Sequence, residues 1–284
     1  MKFGIHVSID AAKTGGIAFA PVTAHKMGCE VFQMFSRSPQ GGSAPELTPE
    51  MLDGFHAALK KTKISRYYIH TPYYINFASV NPRIKHGSIS IVRNELERGA
   101  LLGAHTVITH IGSAKGTDRA KAVSVVIDGM CAVLKGYAGS AALALELAAG
   151  AGDVIGATFE EMEEILSRVR KKSPRAKIGV CLDTAHIFAS GYDLRTPEAV
   201  DATLTAFGKA IGFDALRVIH GNDSLVDLGE KKDRHAHIGK GKIGLQGFRA
   251  LVADARLQDI DLILETPHDP QIHQDLRFLK SFRP

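Results

Sequence analysis

The stretch CLDTAHIFASGYDLRT, residues 181–196, ends an apolar run on an aspartate and places a histidine three residues later. Taken alone, Asp183 is explained as the cap of a turn or helix, because its side chain accepts backbone N–H groups. Asp183 and His186 also have side chains that bind divalent ions such as Zn²⁺ and Mn²⁺. The metal hypothesis gains weight if other apolar runs end in the same way.

Six consecutive apolar runs do end on His, Asp or Glu, at His70, His110, Glu146, Asp183, His220 and Glu265. Isolated polar groups of this kind are costly at the mouth of an apolar structure, whereas a metal ion would compensate them. Asp233 and His235 are two residues apart, which puts both side chains on one face of an extended loop. With His186 these make nine candidate ligands, too many for one tetrahedral ion and enough for two or three that share a carboxylate.

Short apolar runs alternate with longer helical patterns, which is typical of βαβ units around a parallel sheet. We predict strands at 3–7, 30–34, 66–70, 106–110, 142–146, 178–183, 215–220 and 262–265. We predict helices at 51–61, 84–102, 119–137, 159–171, 197–211 and 270–282. Eight repeats in 284 residues indicate a single α/β domain, a (β/α)8 barrel, whose strand ends converge on one face. An open doubly wound sheet is the weaker alternative, because no G-x-G-x-x-G follows the first strand.

The amino-acid composition limits which cellular locations and which binding partners are expected for the protein. The chain is 45% hydrophobic, and we find neither an apolar run of membrane-spanning length nor a signal peptide. Cys29, Cys131 and Cys181 lie apart in apolar segments, as reduced thiols do. We therefore expect a cytoplasmic or nucleoid-associated monomer without a membrane partner. The net charge of +5 permits an anionic partner without demonstrating one.

Four motifs carry a resemblance to a known family. They are GVCLDTAHIFASGYDLRT at 179–196, HGNDS at 220–224, DRHAHIGKGKIG at 233–244 and LILET at 262–266. In this order they resemble endonuclease IV, a family of metal-dependent apurinic/apyrimidinic endonucleases with a (β/α)8 fold. The resemblance runs from GIHVS at 4–8 to LET at 264–266, nearly the whole chain.

The resemblance implies three divalent ions, most often Zn²⁺, with Mn²⁺ as an option at one site. Glu146 would bridge a first ion, held with His70 and His110, to a second ion. The second ion would be completed by Asp183, His220 and Glu265, and the third would be held by His186, Asp233 and His235. The implied reaction is hydrolysis of the phosphodiester 5′ to an abasic site in damaged double-stranded DNA, leaving a 3′-hydroxyl and a 5′-deoxyribose phosphate. Glu146 and Glu265 are the carboxylates predicted to be catalytic.

The resemblance also implies DNA contacts, which we assign to Tyr73, Tyr74, Arg37, Gln40 and Arg234. Here the chain departs from the family, because Gln40 and Gly41 stand where the family places an Arg-Gln pair, and the customary tryptophan is absent. Leu147, Ala148, Ile111 and Ala114 likewise replace polar or proline residues beside the metal ligands. His6 and His237 are expected to orient a ligand or to contact a phosphate.

Two other hypotheses compete with the endonuclease. One is a metal-dependent sugar isomerase or epimerase on the same barrel, which would use fewer ions and a closed pocket. The other is a protein that binds damaged DNA without cutting it, which is motivated by the departures at Gln40 and Gly41.

Overall fold

The computed structural model describes residues 1–10 and 16–284. In these ranges eight parallel strands close a barrel. Each barrel strand pairs with the previous and the next one along the chain, and the last strand pairs with the first. The barrel strands are β1 (Phe3–Val7), β2 (Val31–Phe35), β3 (Tyr67–His70), β4 (Thr106–Thr109), β5 (Ala142–Glu146), β6 (Ile178–Asp183), β7 (Leu216–His220) and β10 (Leu262–Leu264). The predicted (β/α)8 barrel is therefore confirmed.

Helices cover the outside of the barrel. They are α1 (Ala20–Lys26), α2 (Pro49–Thr62), α3 (Pro82–Leu102), α4 (Arg119–Leu134), α5 (Phe159–Lys172), α6 (Thr184–Ser190), α7 (Pro197–Ala210), α8 (Gly244–Ala253) and α9 (Ile272–Ser281). Short 3₁₀ helices lie at Ile17–Phe19, Phe213–Ala215 and Ala255–Leu257. A two-stranded ribbon, β8 (Asp223–Ser224) and β9 (His235–Ala236), lies outside the barrel. None of the helices in the described ranges has the length and hydropathy that crossing a bilayer requires.

Side-chain caps define where several of these helices begin. Thr48, Asn81 and Thr196 each accept a backbone N–H of the first turn, and each is followed by a proline. These caps extend α2 and α3 by two residues beyond the predicted starts. The predicted end of α4 at Tyr137 is wrong, because the chain leaves the helix at Lys135 and Gly136 adopts a φ of 64°.

The barrel interior is filled by side chains rather than open. Val31, Tyr68, Ile108, Ala144, Cys181, Val218 and Ile263 form one fully buried cluster inside the ring. Gly4 is needed between β1 and β2, since a Cβ there would lie 1.9 Å from the carbonyl oxygen of Val31. This buried cluster fills the barrel below the site. The polar groups at the carboxyl ends of the strands lie above the cluster, at the open mouth of the barrel.

Candidate metal centre

The carboxyl ends of the strands bring the predicted ligands to one mouth of the barrel. β3, β5, β6 and β7 end on His70, Glu146, Asp183 and His220 themselves, while His110 and Glu265 directly follow β4 and β10. The remaining three, His186, Asp233 and His235, come from α6 and from the loop and strand of the outer ribbon. The structure thus gathers all nine residues.

Glu146 lies between two groups of imidazoles and is buried. Its Oε2 is 3.0 Å from His70 Nε2 and 3.2 Å from His110 Nδ1, and its Oε1 is 2.9 Å from His220 Nδ1. Burial alone would raise the pKa of Glu146, but the imidazoles of His110 and His220 outweigh burial and hold that pKa well below its ordinary value. Glu146 is therefore an ionised carboxylate with one oxygen turned to each group, the arrangement expected of a bridging ligand.

The second group surrounds His220. Its Nδ1 lies 3.2 Å from Glu265 Oε2 and 3.8 Å from Asp183 Oδ2, and one donor atom from each of these three residues and Glu146 lies within 4.8 Å of the others. Burial raises the pKa of Glu265, but His220 and His6 outweigh burial and lower it. Three carboxylates and one imidazole are a set of ligands that suits a divalent cation.

The third group forms around Asp233 at the edge of the mouth. Asp233 Oδ2 is 3.2 Å from His186 Nε2, and Oδ1 is 3.1 Å from His235 Nε2. Asp183 also belongs here, since its Oδ2 is 3.7 Å from His235 Nε2. Burial lowers the pKa of His235, but Asp183 and Asp233 outweigh burial and raise it to about 9. Asp183 therefore lies between the second and third groups.

Two ring nitrogens show that these residues fit a metal ion. The Nε2 atoms of His186 and His235 are buried, and among the described residues they have no partner at hydrogen-bonding geometry, although Asp233 is close to both. A buried polar atom without a partner is costly, so it indicates a missing ligand. Nitrogen and oxygen donors that converge on one point are what Zn²⁺ and Mn²⁺ prefer.

Backbone carbonyls orient three of the imidazoles. The Nδ1 atoms of His70, His186 and His235 lie 2.6, 2.9 and 3.2 Å from the carbonyl oxygens of Thr71, Leu147 and Glu265. A carbonyl oxygen only accepts, so each Nδ1 carries the proton and donates it. In the neutral imidazole each Nε2 then has its lone pair toward the site, which is the tautomer that a metal ligand needs.

Similar proteins match this sequence along nearly its whole length. The sequence model of the xylose isomerase-like TIM barrel family matches residues 22–282. Probable endonuclease 4 of Cenarchaeum symbiosum is 37% identical over 285 residues, which cover 100% of this chain and 99% of that protein. The chain belongs to the endonuclease 4 family. Probable endonuclease 4 of Chloroflexus aurantiacus is 34% identical over 283 residues, covering 99% of this chain and 97% of the relative.

Solved structures extend the comparison. Endonuclease IV from Thermus thermophilus superposes with a TM-score of 0.86 at 31% identity, and the match covers 99% of this chain and 98% of that one. A D-tagatose 3-epimerase-like protein also superposes, with a TM-score of 0.74 at 17% identity and 99% and 97% coverage. The second likeness shows the fold alone. Membership of the endonuclease 4 family confirms the predicted family and the prediction that the chain is an enzyme.

The tyrosines predicted to contact the substrate of an endonuclease 4 enzyme lie at the mouth. Tyr73 and Tyr74 are 61% and 40% exposed. Tyr73 packs edge-on against Phe35 with ring centroids 5.3 Å apart. It lines both cavities beside the ligands, one of about 580 Å³ and one of about 1020 Å³. Gln40 and Arg234 are exposed on neighbouring loops. These four contacts stay predictions.

Arg37 is placed differently from the other predicted contacts. It is 6% exposed, and its Nε donates to Glu95 Oε1 at 2.7 Å. Glu95 is fully buried and also accepts from Ser36 Oγ at 2.6 Å. Arg98 completes the network by donating to the hydroxyl and carbonyl of Ser36. A DNA contact by Arg37 stays a prediction, but in this structure its side chain anchors the loop that carries Gln40.

Three polar residues of the site were not predicted. Asn222 donates to Asp183 Oδ2 at 2.6 Å and accepts the backbone N–H of Glu265 at 2.8 Å, so it holds two ligands together. Asp223 and Gln33 are fully buried and bonded on several sides. The signals were available, because Asn222 and Asp223 lie in the HGNDS motif and Gln33 interrupts the apolar strand VFQMF.

His6 and His237, which were expected to orient a ligand or to contact a phosphate, have different surroundings in the structure. His6 Nδ1 lies 3.3 Å from Glu265 Oε1, which places it against a predicted ligand. His237 instead lies between two acidic side chains, with Nδ1 2.6 Å from Asp275 and Nε2 3.2 Å from Asp269. Asp275 in turn accepts from the hydroxyl of Thr266, the neighbour of Glu265. His237 thus ties the ribbon to α9, and a phosphate contact by this residue stays a prediction.

Proposed function

We propose that this enzyme hydrolyses the phosphodiester 5′ to an abasic site in double-stranded DNA, leaving a 3′-hydroxyl and a 5′-deoxyribose phosphate. The observation that carries the proposal is the convergence of nine nitrogen and oxygen donors at one barrel mouth in a chain of the endonuclease 4 family. Similarity to the endonuclease 4 family supports the choice of substrate, and the geometry of the mouth supports the choice of metal ligands. We propose three divalent ions, chiefly Zn²⁺, distributed as the three groups of ligands indicate.

Divalent cations, when bound at such donors, lower the pKa of coordinated water and stabilise negative charge on a phosphate. The chain's own residues supply the frame. Glu146 and Glu265 remain ionised because imidazoles surround them, so their oxygens are available to bind cations and to orient a water molecule. Asp183 joins two groups of ligands through one carboxylate.

The walls of the mouth support a DNA substrate. Tyr73 stands between two open cavities, which gives a flat aromatic surface next to the ligands. A nucleotide without its base costs little to unstack, and an aromatic side chain can occupy the gap that it leaves. Arg234 is exposed beside Asp233, where a cation would meet the phosphate backbone. No closed sugar-sized pocket is formed by the described residues around the ligands, which disfavours the epimerase hypothesis.

The test is incision of a duplex that carries one tetrahydrofuran abasic analogue, with an undamaged duplex as control. We expect a single cut 5′ to the analogue and a 3′-hydroxyl end that a polymerase extends. Elemental analysis of the same protein should find two to three equivalents of zinc or manganese. Metal-loaded protein that retains the damaged duplex without cutting it would instead support the binding protein, and ketose interconversion would support the epimerase.

The matched variant for this test is Glu146→Gln. The amide keeps the shape of the side chain but removes the charge that faces both groups of ligands. Loss of a group that only orients a metal ligand costs about 10- to 100-fold, so loss of this carboxylate should lower incision by at least about 100-fold. Glu164→Gln, an exposed change on α5, is the control that should cut like the wild type. Near wild-type turnover by Glu146→Gln would contradict the proposed role.

A further inference from the structure

Gln33 lies in the middle of β2 and is fully buried inside the mouth of the barrel. Its neighbours Phe32 and Met34 are also fully buried, so an amide at this position must find partners within the protein. It finds three. Its Nε2 lies 2.6 Å from Glu265 Oε1 and 2.9 Å from His6 Nδ1, and its Oε1 lies 2.8 Å from His220 Nε2.

The partners determine which way the amide points. An ionised carboxylate only accepts, so the Gln33 nitrogen must face Glu265 and the Gln33 oxygen must face His220. The oxygen only accepts in turn, which puts a proton on His220 Nε2. In the neutral imidazole that binds a cation, the lone pair is then on His220 Nδ1, which faces Glu146 and Glu265.

The Gln33 amide also fixes the orientation of the Glu265 carboxylate. With Oε1 held by Gln33, the other oxygen, Oε2, is turned to within 3.2 Å of His220 Nδ1. His220 and Glu265 come from different strands, β7 and the end of β10, and Gln33 on β2 bonds to both. One side chain thereby sets the orientation of two predicted ligands of the second group.

We propose that Gln33 is a positioning residue that sets the His220 tautomer and the Glu265 orientation, and so the affinity of the metal ion held by the second group. The inference rests on the proposed function, because it requires that a divalent ion bind there. Groups that orient metal ligands contribute about 10- to 100-fold in metal affinity in other proteins. We expect roughly this loss when the bonds from Gln33 to Glu265 and His220 are removed.

The experiment compares zinc affinity by chelator competition in the wild type and in Gln33→Met. Methionine has a similar volume and no hydrogen-bonding amide, so the core stays filled while all three bonds disappear. We expect one class of zinc to bind about 10- to 100-fold more weakly, with the remaining zinc unchanged. Cobalt-substituted protein should show a matching change in its visible absorption, which reports ligand geometry independently of activity.

Two further variants make the result decisive. Gln33→Glu keeps the shape and the acceptor for His220 but turns a carboxylate toward Glu265, and it should weaken the same class of zinc. Tyr68→Phe removes a buried hydrogen bond, 2.8 Å to Asp261, inside the same barrel and away from the ligands, and it should leave zinc affinity unchanged. Unchanged zinc affinity in both Gln33 variants, or an equal loss in Tyr68→Phe, would overturn the inference. A wild type that binds no divalent ion would instead refute the proposed function.

Discussion

Asp183 and His186 are joined through the first turn of α6. Asp183 Oδ1 accepts the backbone N–H of His186 at 2.9 Å, which caps the helix, while Oδ2 of the same carboxylate faces the imidazoles of His220 and His235. The capping explanation and the ligand explanation of this aspartate are therefore compatible, because each uses a different oxygen. The cap also places His186 where its ring meets Asp233.

Asp183 variants should separate these two roles. Asn is as good a helix cap as Asp, whereas Ala is not, so metal-free Asp183→Ala should be about 1 kcal/mol less stable than metal-free Asp183→Asn. Both variants lose the charge, so both should bind metal more weakly than the wild type. Urea unfolding in the presence of a chelator measures the first effect, and zinc competition measures the second. Equal stability of the two variants would show that the cap contributes nothing.

Glu95 of α3 should be far more costly to lose than the exposed Glu97 of the same helix. It is fully buried and accepts from Arg37 and Ser36, so Glu95→Ala leaves a buried guanidinium without its counter-charge. Breaking a buried pair in this way costs about 3–5 kcal/mol. The control is Glu97→Ala on the same helix, whose exposed pair with Arg93 contributes about 0.3–0.5 kcal/mol. Thermal unfolding should rank the two variants, and similar melting temperatures would contradict the argument.

The loop after the ribbon is organised around Asp223. Its carboxylate accepts backbone N–H groups from Ser224, Gly239, Gly241, Ile243 and Gly244. The chain comes so close at Gly241 that a Cβ would lie 2.5 Å from Asp223 Oδ1. Gly241→Ala should therefore destabilise the protein by about 1–3 kcal/mol through overpacking. Gly87→Ala in α3, where a Cβ meets nothing within 4 Å, should be neutral or stabilising. Urea unfolding of both variants measures the difference.

Tyr73 should contribute to affinity for damaged DNA if the proposed function holds. Stacking of a base on an aromatic ring contributes about 1–3 kcal/mol, so Tyr73→Ala should weaken binding of the abasic duplex by that amount and Tyr73→Phe should restore it. Fluorescence anisotropy in a Glu146→Gln background measures binding without incision. Leu101→Ala, an exposed change on α3, serves as the control. Equal affinities for Tyr73→Ala and the control would remove Tyr73 from the interface.

Thiol chemistry should distinguish the three cysteines. Burial raises the pKa of Cys29 and of Cys181 to about 12, so at pH 8 both stay protonated, and the thiolate is the reactive form. Cys131 is partly exposed. Ellman's reagent should therefore titrate one thiol per native chain and three after unfolding in guanidinium. Cys131→Ser should reduce the native count to zero, and rapid modification of Cys29 in the native protein would contradict its burial.

The strand ends were predictable because a buried strand that stops on His70 or Glu146 has few explanations other than a site. The contacts that surround these strand-end residues were not predictable from the sequence. Periodicity cannot show that Gln33 reaches across the barrel to His220, since their strands lie far apart in the chain and meet only when the ring closes. Nor can it show that Arg37 turns inward to Glu95, because an arginine in a loop is ordinarily exposed.

Short helices and strands were also not predicted from the sequence. Helix α6 spans only Thr184–Ser190, too short for a helical period to stand out, so no helix was predicted over these residues. Helix α8 was missed because it begins at Gly244 and contains Gly247, which weaken a helical pattern. The ribbon strands β8 and β9 are two residues each, and their pairing depends on Asp223, which local patterns do not reveal.

The last barrel strand, β10, pairs with β1 on one side and β7 on the other, and Glu265 follows it directly. Without this strand the ring stays open between β1 and β7, and His220 loses both its strand neighbour Ile263 and the carboxylate of Glu265. The second group of ligands is therefore complete only after the two ends of the barrel have met, so metal affinity at this group should report ring closure during folding.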